Sequence, residues 1–281
     1  VFVDMPETSK RRSDRDRDER TKRSRTEKEE ATACLPSTST AVEVVTVGDE
    51  EGDSDEEVDP NPKPRTVYAL MIQAGLRLKL KNRSVCTAIL LMHDVLKKEV
   101  ARHVCNYTLA TACLMVGLKY EEERNVRIKT VCHVVQSLLS SVLITENSEE
   151  VSELANGVGK MEFLVLREVA FRIDYPHPHT QLALILKSLR PWMEEDFDKY
   201  PIEDTAASLL RDAYVCPSMI LAHTQKSIAI AIVSLALKAF DVTVPQARSD
   251  WHEVFSSSLS SRKLRSLEKE ILDKVYDIEV D

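Results

Sequence analysis

Glycine is scarce in this chain, with six residues in 281, and aromatic residues make up only 5%. A β-sandwich or a nucleotide-binding parallel sheet needs Gly-rich turns and strands dense in aromatic or β-branched residues, so composition argues against both. The six cysteines, at 34, 86, 105, 113, 132 and 216, form no Cys-x-x-Cys pair. With no signal peptide ahead of them, they read as free thiols of a reducing compartment, and the chain is expected to be intracellular. The longest apolar stretch, Ser227 to Phe240, is broken by Lys238 and is too short for a bilayer, so no membrane partner is expected. A Gly-rich phosphate loop, a G-x-S-x-G, an H-E-x-x-H and the protein-kinase signatures are all missing, and Gln225-Lys226-Ser227 lacks the glycines of a Walker motif. No catalytic residue and no cofactor is therefore expected. His93, His103, Cys105, Cys113, Cys132 and His133 match no zinc spacing, so no metal is expected either.

What is present divides in two. Residues 1–63 have no hydrophobic period: Lys10 to Arg25 is a mixed-charge run, and Glu43 to Asp59 carries nine acids and no base. Such a segment cannot bury enough apolar surface to offset its chain entropy, and a disordered tail is expected there. Its clusters Lys10-Arg11-Arg12 and Lys22-Arg23-Ser24-Arg25 suit a nuclear address or a merely solvated tail, so the location reads as nuclear, cytoplasmic or both. Ser54, followed by Asp55-Glu56-Glu57, is an expected phosphorylation site for a kinase that reads acidic context. This tail holds 11 of the 38 bases and 18 of the 46 acids, leaving 27 and 28 for the remainder. A body so near neutrality has no field to draw in a phosphate backbone, and no direct nucleic-acid contact is expected.

From Thr66 onward the period is helical, with helices expected at roughly 66–81, 84–98, 104–120, 126–144, 150–172, 179–192, 203–215, 223–240, 251–259 and 261–277. The third and eighth align at an offset of 119: Thr108–Lys119 reads TLATACLMVGLK and Ser227–Lys238 reads SIAIAIVSLALK. The same offset carries Ala88 onto Ala207 and Leu91 onto Leu210. Small residues alternating with large aliphatics suit a central helix packed on every side. An all-α body of two five-helix repeats, 64–175 and 176–281, is expected behind the tail.

Particular residues carry a family resemblance. Gly117-Leu118-Lys119-Tyr120-Glu121-Glu122 resembles the cyclin-box stretch of small residue, Lys, any residue, Glu-Glu. Met161-Glu162-Phe163-Leu164-Val165-Leu166 through Phe171-Arg172-Ile173 resembles the fifth cyclin-box helix, and Pro176-His177-Pro178-His179 is similar to the linker of transcription-type cyclins. Leu209 to Tyr214, Val242-Thr243-Val244-Pro245 and Trp251 to Phe255 are similar to cyclin Q, the family that partners cyclin-dependent kinase 10. The resemblance covers about residues 66–277. It implies tandem cyclin boxes and a non-enzymatic subunit that activates a cyclin-dependent kinase, in transcription or the cell cycle. One departure is plain: the first box helix reads Met71-Ile72-Gln73-Ala74-Gly75-Leu76, without the Trp of the substrate-docking motif of cell-cycle cyclins.

The same resemblance implies a kinase-binding face. Lys119 and Glu162 would reach the main chain beside the kinase's regulatory helix, and Val116, Tyr120, Leu166, Phe171 and Ile173 would form the apolar floor under it. Plainer readings remain open at this point: Lys119 as a cation at a helix C-terminus, Glu162 as an acid near a helix start, and Phe171 and Ile173 as core. His177 and His179, around Pro178, are expected to fix backbone at the turn between repeats. Two other classes of function stand beside the first, a DNA-binding core like that of transcription factor IIB, and a helical scaffold with no kinase.

Overall fold

The computed structural model describes residues 62–124, 126–140, 143–245 and 250–277. The expected tail, the basic clusters and Ser54 lie outside the described residues, apart from Pro62 and Lys63. All ten expected helices are present, and no strand occurs among the described residues. In chain order the first five are α1 (Pro64–Arg77), α2 (Asn82–Leu96), α3 (Asn106–Tyr120), α4 (Ile128–Leu139) and α5 (Glu149–Glu168). There follow α6 (His179–Leu189), α7 (Glu194–Lys199), α8 (Ile202–Ala213), α9 (Pro217–Ala222), α10 (Gln225–Lys238), α11 (Trp251–Phe255) and α12 (Ser261–Tyr276). Two short 3-10 turns, Glu99–His103 and Arg190–Trp192, complete the set.

The two helices that sequence reasoning passed over have physical reasons. Pro217 falls between the helices expected at 203–215 and 223–240, yet proline suits the first turn of a helix, where its missing N–H bonds to nothing anyway, and it opens α9. α7 has six residues, too few to show a period, and is marked by Glu194, Glu195 and Asp196 in its first turn. α5 was expected to run to 172 and stops at 168, for a reason given below.

α3 and α10 are the hubs. α3 lies against α1, α2, α4 and α5, and α10 against α6, α8, α11 and α12. Every residue from Leu109 to Leu118 is buried, and so is all but Leu235 from Ile228 to Leu237. Each fully buried leucine or isoleucine contributes about 1.5–3 kcal/mol by leaving water. Both hubs end alike. Glu123 N–H donates to Leu118 O at 2.9 Å with Glu122 at φ 54°, and Val242 N–H donates to Leu237 O at 3.0 Å with Asp241 at φ 54°. These are left-handed helix stops without glycine, again 119 residues apart, so the repeat extends from sequence into the backbone.

Polar contacts join the two groups of helices. Asn82 Nδ2 donates to Ala207 O at 3.2 Å, and Arg65 donates to the last carbonyls of α12, Lys274 O at 2.9 Å and Val275 O at 2.8 Å. A buried relay runs through the linker. Tyr214 OH lies 2.8 Å from His177 Nδ1, His177 Nε2 lies 3.0 Å from Thr87 Oγ1, and Thr87 Oγ1 donates to Glu121 Oε1 at 2.8 Å. Since Thr87 spends its one proton on Glu121, the network assigns the proton of His177 to Nε2, leaving Nδ1 to accept from Tyr214. His177 thus ties side chains of α2 and of the end of α8, where a backbone contact was expected. His179 meets it edge-on, ring centroids 5.6 Å apart, with neither ring nitrogen bonded.

Two predictions follow from the packing and the relay. A Cβ on Gly117 would come within 2.9 Å of Ala88 Cβ and 3.0 Å of both Ala88 N and Ser84 O. Backbone cannot give way cheaply, so Gly117→Ala should lower stability by about 1–3 kcal/mol net of its helix propensity. Gly159→Ala on α5, with nothing within 4 Å, should instead raise it by up to about 1 kcal/mol; thermal melts compare the two.

Desolvation is the main cause that pushes both His177 and His179 from 6.5 down to about 4, with Arg83 adding to it in each and Glu121 and Asp174 opposing it at His177. The unfolded chain takes up these protons near pH 6.5 and the folded chain near 4, so stability should hold above pH 7 and fall as pH drops from 6.5 towards 4. Denaturant melts between pH 7 and 5 should show that slope, and His177→Gln/His179→Gln should flatten it.

Candidate functional site: the Lys119–Glu162 face

The site is built where hub α3 leaves the core. Residues up to Leu118 are enclosed, so Lys119 is the first long polar side chain to emerge, at the helix end whose dipole favours a cation. α5 packs alongside α3, started by Ser148, whose side chain accepts from Val151 N–H at 3.4 Å, and by Glu149 and Glu150 in the first turn. Its fourth turn brings Glu162 beneath Lys119. Lys119 Nζ donates to Glu162 Oε2 at 2.6 Å, the lysine side chain 61% exposed and the glutamate 15%. The other oxygen, Glu162 Oε1, is out of reach of solvent and has no partner. A buried carboxylate oxygen without a donor is costly, on the order of 1–3 kcal/mol.

α5 then ends in an unusual way. Phe171 N–H donates to Leu166 O at 2.8 Å, and Ala170 and Phe171 both adopt the left-handed region at φ 51° and 57°. Two such residues in a row, neither of them glycine, cost about 1–2 kcal/mol each. The turn throws Phe171 outward, 63% exposed, before Ile173 returns to the core. This is why α5 stops short of 172.

The structure sorts the expected residues into three sets. Lys119 and Glu162 come together, each as the other's partner, whereas both partners were expected on another chain. Tyr120 at 43% and Phe171 at 63% exposure are on the surface, and Leu166 is half-buried. Val116 and Ile173 are corrections to the apolar floor: at 4% and 9% exposed they belong to the core and offer almost no surface. Val116 sits on a helix apolar all round, where position cannot separate core from interface. Phe163, 67% exposed beside Glu162, was overlooked. Its signal was a large aromatic one residue from an assigned polar anchor.

A second lysine–glutamate pair tests how particular this arrangement is. Lys238, 119 residues after Lys119, binds Glu268 of α12, and Glu268 Oε1 is likewise buried without a partner. The pair is therefore a property of the repeat. Its surroundings differ: Ala239 replaces Tyr120, and Phe240 is half-buried, stacked on Tyr200 at 5.2 Å. Only in the first half does an exposed aromatic follow each member of the pair in sequence, Tyr120 after Lys119 and Phe163 after Glu162.

Other expected absences can be placed. Of the six histidines and cysteines weighed for zinc, His93 Nδ1 is 3.2 Å from Tyr68 OH, His133 Nε2 is 2.9 Å from Ile144 O, His103 and Cys105 are exposed, and Cys113 and Cys132 are buried thiols, as is Cys86. Burial raises all three, Cys132 to about 11. Among the described residues, Asp250, His252 and Glu253 do bring ligand atoms within 4.8 Å of one another, and Asp250 already accepts from Ser261 Oγ. No described helix is long and apolar enough to cross a membrane.

Residues 46–174 match the family model of the cyclin N-terminal domain, which takes in α1 to α5 and this face. Over those residues the chain is similar to a cyclin N-terminal domain. Its helical body is similar to a chain in the crystal structure of the yeast RNA Pol II CTD kinase CTDK-1 complex, at a TM-score of 0.52 and 21% identity, covering 75% of this chain and 64% of that one. That likeness shows a shared helical fold alone. Cyclin-L1 of Xenopus laevis is 26% identical over 196 residues, which are 67% of this chain and 38% of the relative. Cyclin pch1 of Schizosaccharomyces pombe is 23% identical over 176 residues, 62% of this chain and 49% of the relative. The chain thus spans less than half the length of the curated cyclins it matches.

Proposed function

We propose that this chain is a regulatory subunit that binds and activates a cyclin-dependent protein kinase through the Lys119–Glu162 face, with cyclin-dependent kinase 10 as the partner and cyclin Q as the subtype. The cyclin box over 64–175 would carry that face, and the second, over 176–281, would brace it through the His177 relay. The observation that carries this reading is the Lys119–Glu162 pair, with its unsatisfied Oε1, among Tyr120, Phe163 and the strained, outward Phe171. Exposed aromatics around a desolvated polar anchor have the anatomy of a binding hot spot. An unbonded carboxylate oxygen is suited to a main-chain N–H from a partner, which would recover its desolvation cost. A kinase needs its own Lys–Glu ion pair assembled and its activation loop ordered before phosphoryl transfer, and differential binding to that arrangement is what such a face can supply. The second repeat's pair lacks these exposed aromatics and is not proposed as a kinase site.

Lys119→Ala and Glu162→Ala should each weaken binding to purified cyclin-dependent kinase 10 by about 2–5 kcal/mol. Stability should fall little for Lys119→Ala, an exposed position. The double variant should lose less than the sum, because the two side chains already share one contact. Binding and activated phosphotransfer are the measurements, with circular dichroism as the folding control. Unchanged affinity in both would remove this face, while binding to a different cyclin-dependent kinase only would remove the cyclin Q subtype alone.

A further inference from the structure

We infer that the exposed basic face of α12 is the seat of this chain's own acidic stretch, residues 49–59. Arg262, Arg265 and Lys269 stand at i, i+3 and i+7, which places them on one stripe of α12, and all three are exposed. The first turn of α12 carries no acid and two cations, Arg262 and Lys263, at the helix end whose dipole favours an anion. The carboxylate of Asp250 reaches that end only to accept from Ser261 Oγ at 2.5 Å. The body from residue 64 onward is otherwise close to charge balance, so the stripe is a local feature. Residues 49–59 carry eight acids and no base.

Geometry brings the two together. Arg65, at the start of α1, is bonded to the carbonyls of Lys274 and Val275, so the chain enters the body beside the C-terminal end of α12. Arg262 lies 12 residues before Lys274, about 18 Å up the helix. Residue 54 lies 11 residues before Arg65, a reach of up to about 36 Å when extended. The acidic stretch can therefore run parallel to α12, along its basic face from Arg262 towards Lys269. Each exposed ion pair is worth little, but a short tether gives an effective concentration in the millimolar range, and many weak pairs then act together. A phosphate on Ser54 would add about −1.5 to −2 charges at the middle of the stretch and tighten the contact.

Carbodiimide coupling of the full chain, read by mass spectrometry, tests this. Amide links are expected within one chain between the acids of 49–59 and Lys263 or Lys269. Their yield should fall roughly tenfold at about 0.5 M salt, where the screening length shrinks to about 4 Å. Arg262→Glu/Arg265→Glu should cause the same loss with an unchanged circular dichroism spectrum; if that variant unfolds, the salt comparison on the native chain decides. Links spread evenly over Lys79, Lys97 and Lys187, a yield indifferent to salt, or links formed only between two chains would each overturn the proposal. So would a DNA duplex found on α12 with those internal links absent.

Discussion

Two helices that are apolar on every face set the terms for the rest of this molecule. α3 and α10 cannot lie on a surface, so each must be enclosed by neighbours, and five helices to a hub is the result. Close enclosure needs small residues at the crossings, which is why Gly117 meets Ala88 and Ser84 with no space for a methyl group. An enclosed hub can present polar chemistry only at its ends. Lys119 and Lys238 are those ends, and the neighbouring long helix supplies a glutamate beneath each. The proposed face is in this sense a consequence of burying the hub, and what surrounds it differs between the repeats.

What surrounds it separates the two repeats. In the first, a strained two-residue stop after α5 spends conformational energy to hold Phe171 in water, with Tyr120 and Phe163 exposed nearby. In the second, the aromatic that follows the hub, Phe240, is turned in against Tyr200. A folded domain gains nothing by itself from exposed aromatics on strained backbone, and the asymmetry fits a partner on one repeat only. Between the repeats, the buried His177 fastens α2 to the end of α8 through Thr87 and Tyr214.

Much of this was legible in the sequence. The 119-residue offset anticipated both hubs, and it holds down to the left-handed stops at Glu122 and Asp241. Lys119 and Glu162 were placed by resemblance, and their mutual pairing followed once α3 and α5 lay side by side. Other features had no sequence signal. Val116 could not be told from a surface residue, because an all-apolar helix has no face to read, and Ile173 lies past the end of α5, where no helical period runs. The stop at Ala170-Phe171 was hidden because neither residue is one that favours positive φ. The relay through His177 joins residues 34 to 90 apart along the chain, and no local pattern announces it.

The most direct test of the account is a hydrogen-exchange footprint of the chain with and without cyclin-dependent kinase 10. Binding should protect the end of α3 and the second half of α5 through Phe171, and should leave the end of α10 and the middle of α12 unchanged. Protection around Lys238 and Glu268 with none around Lys119 and Glu162 would contradict it.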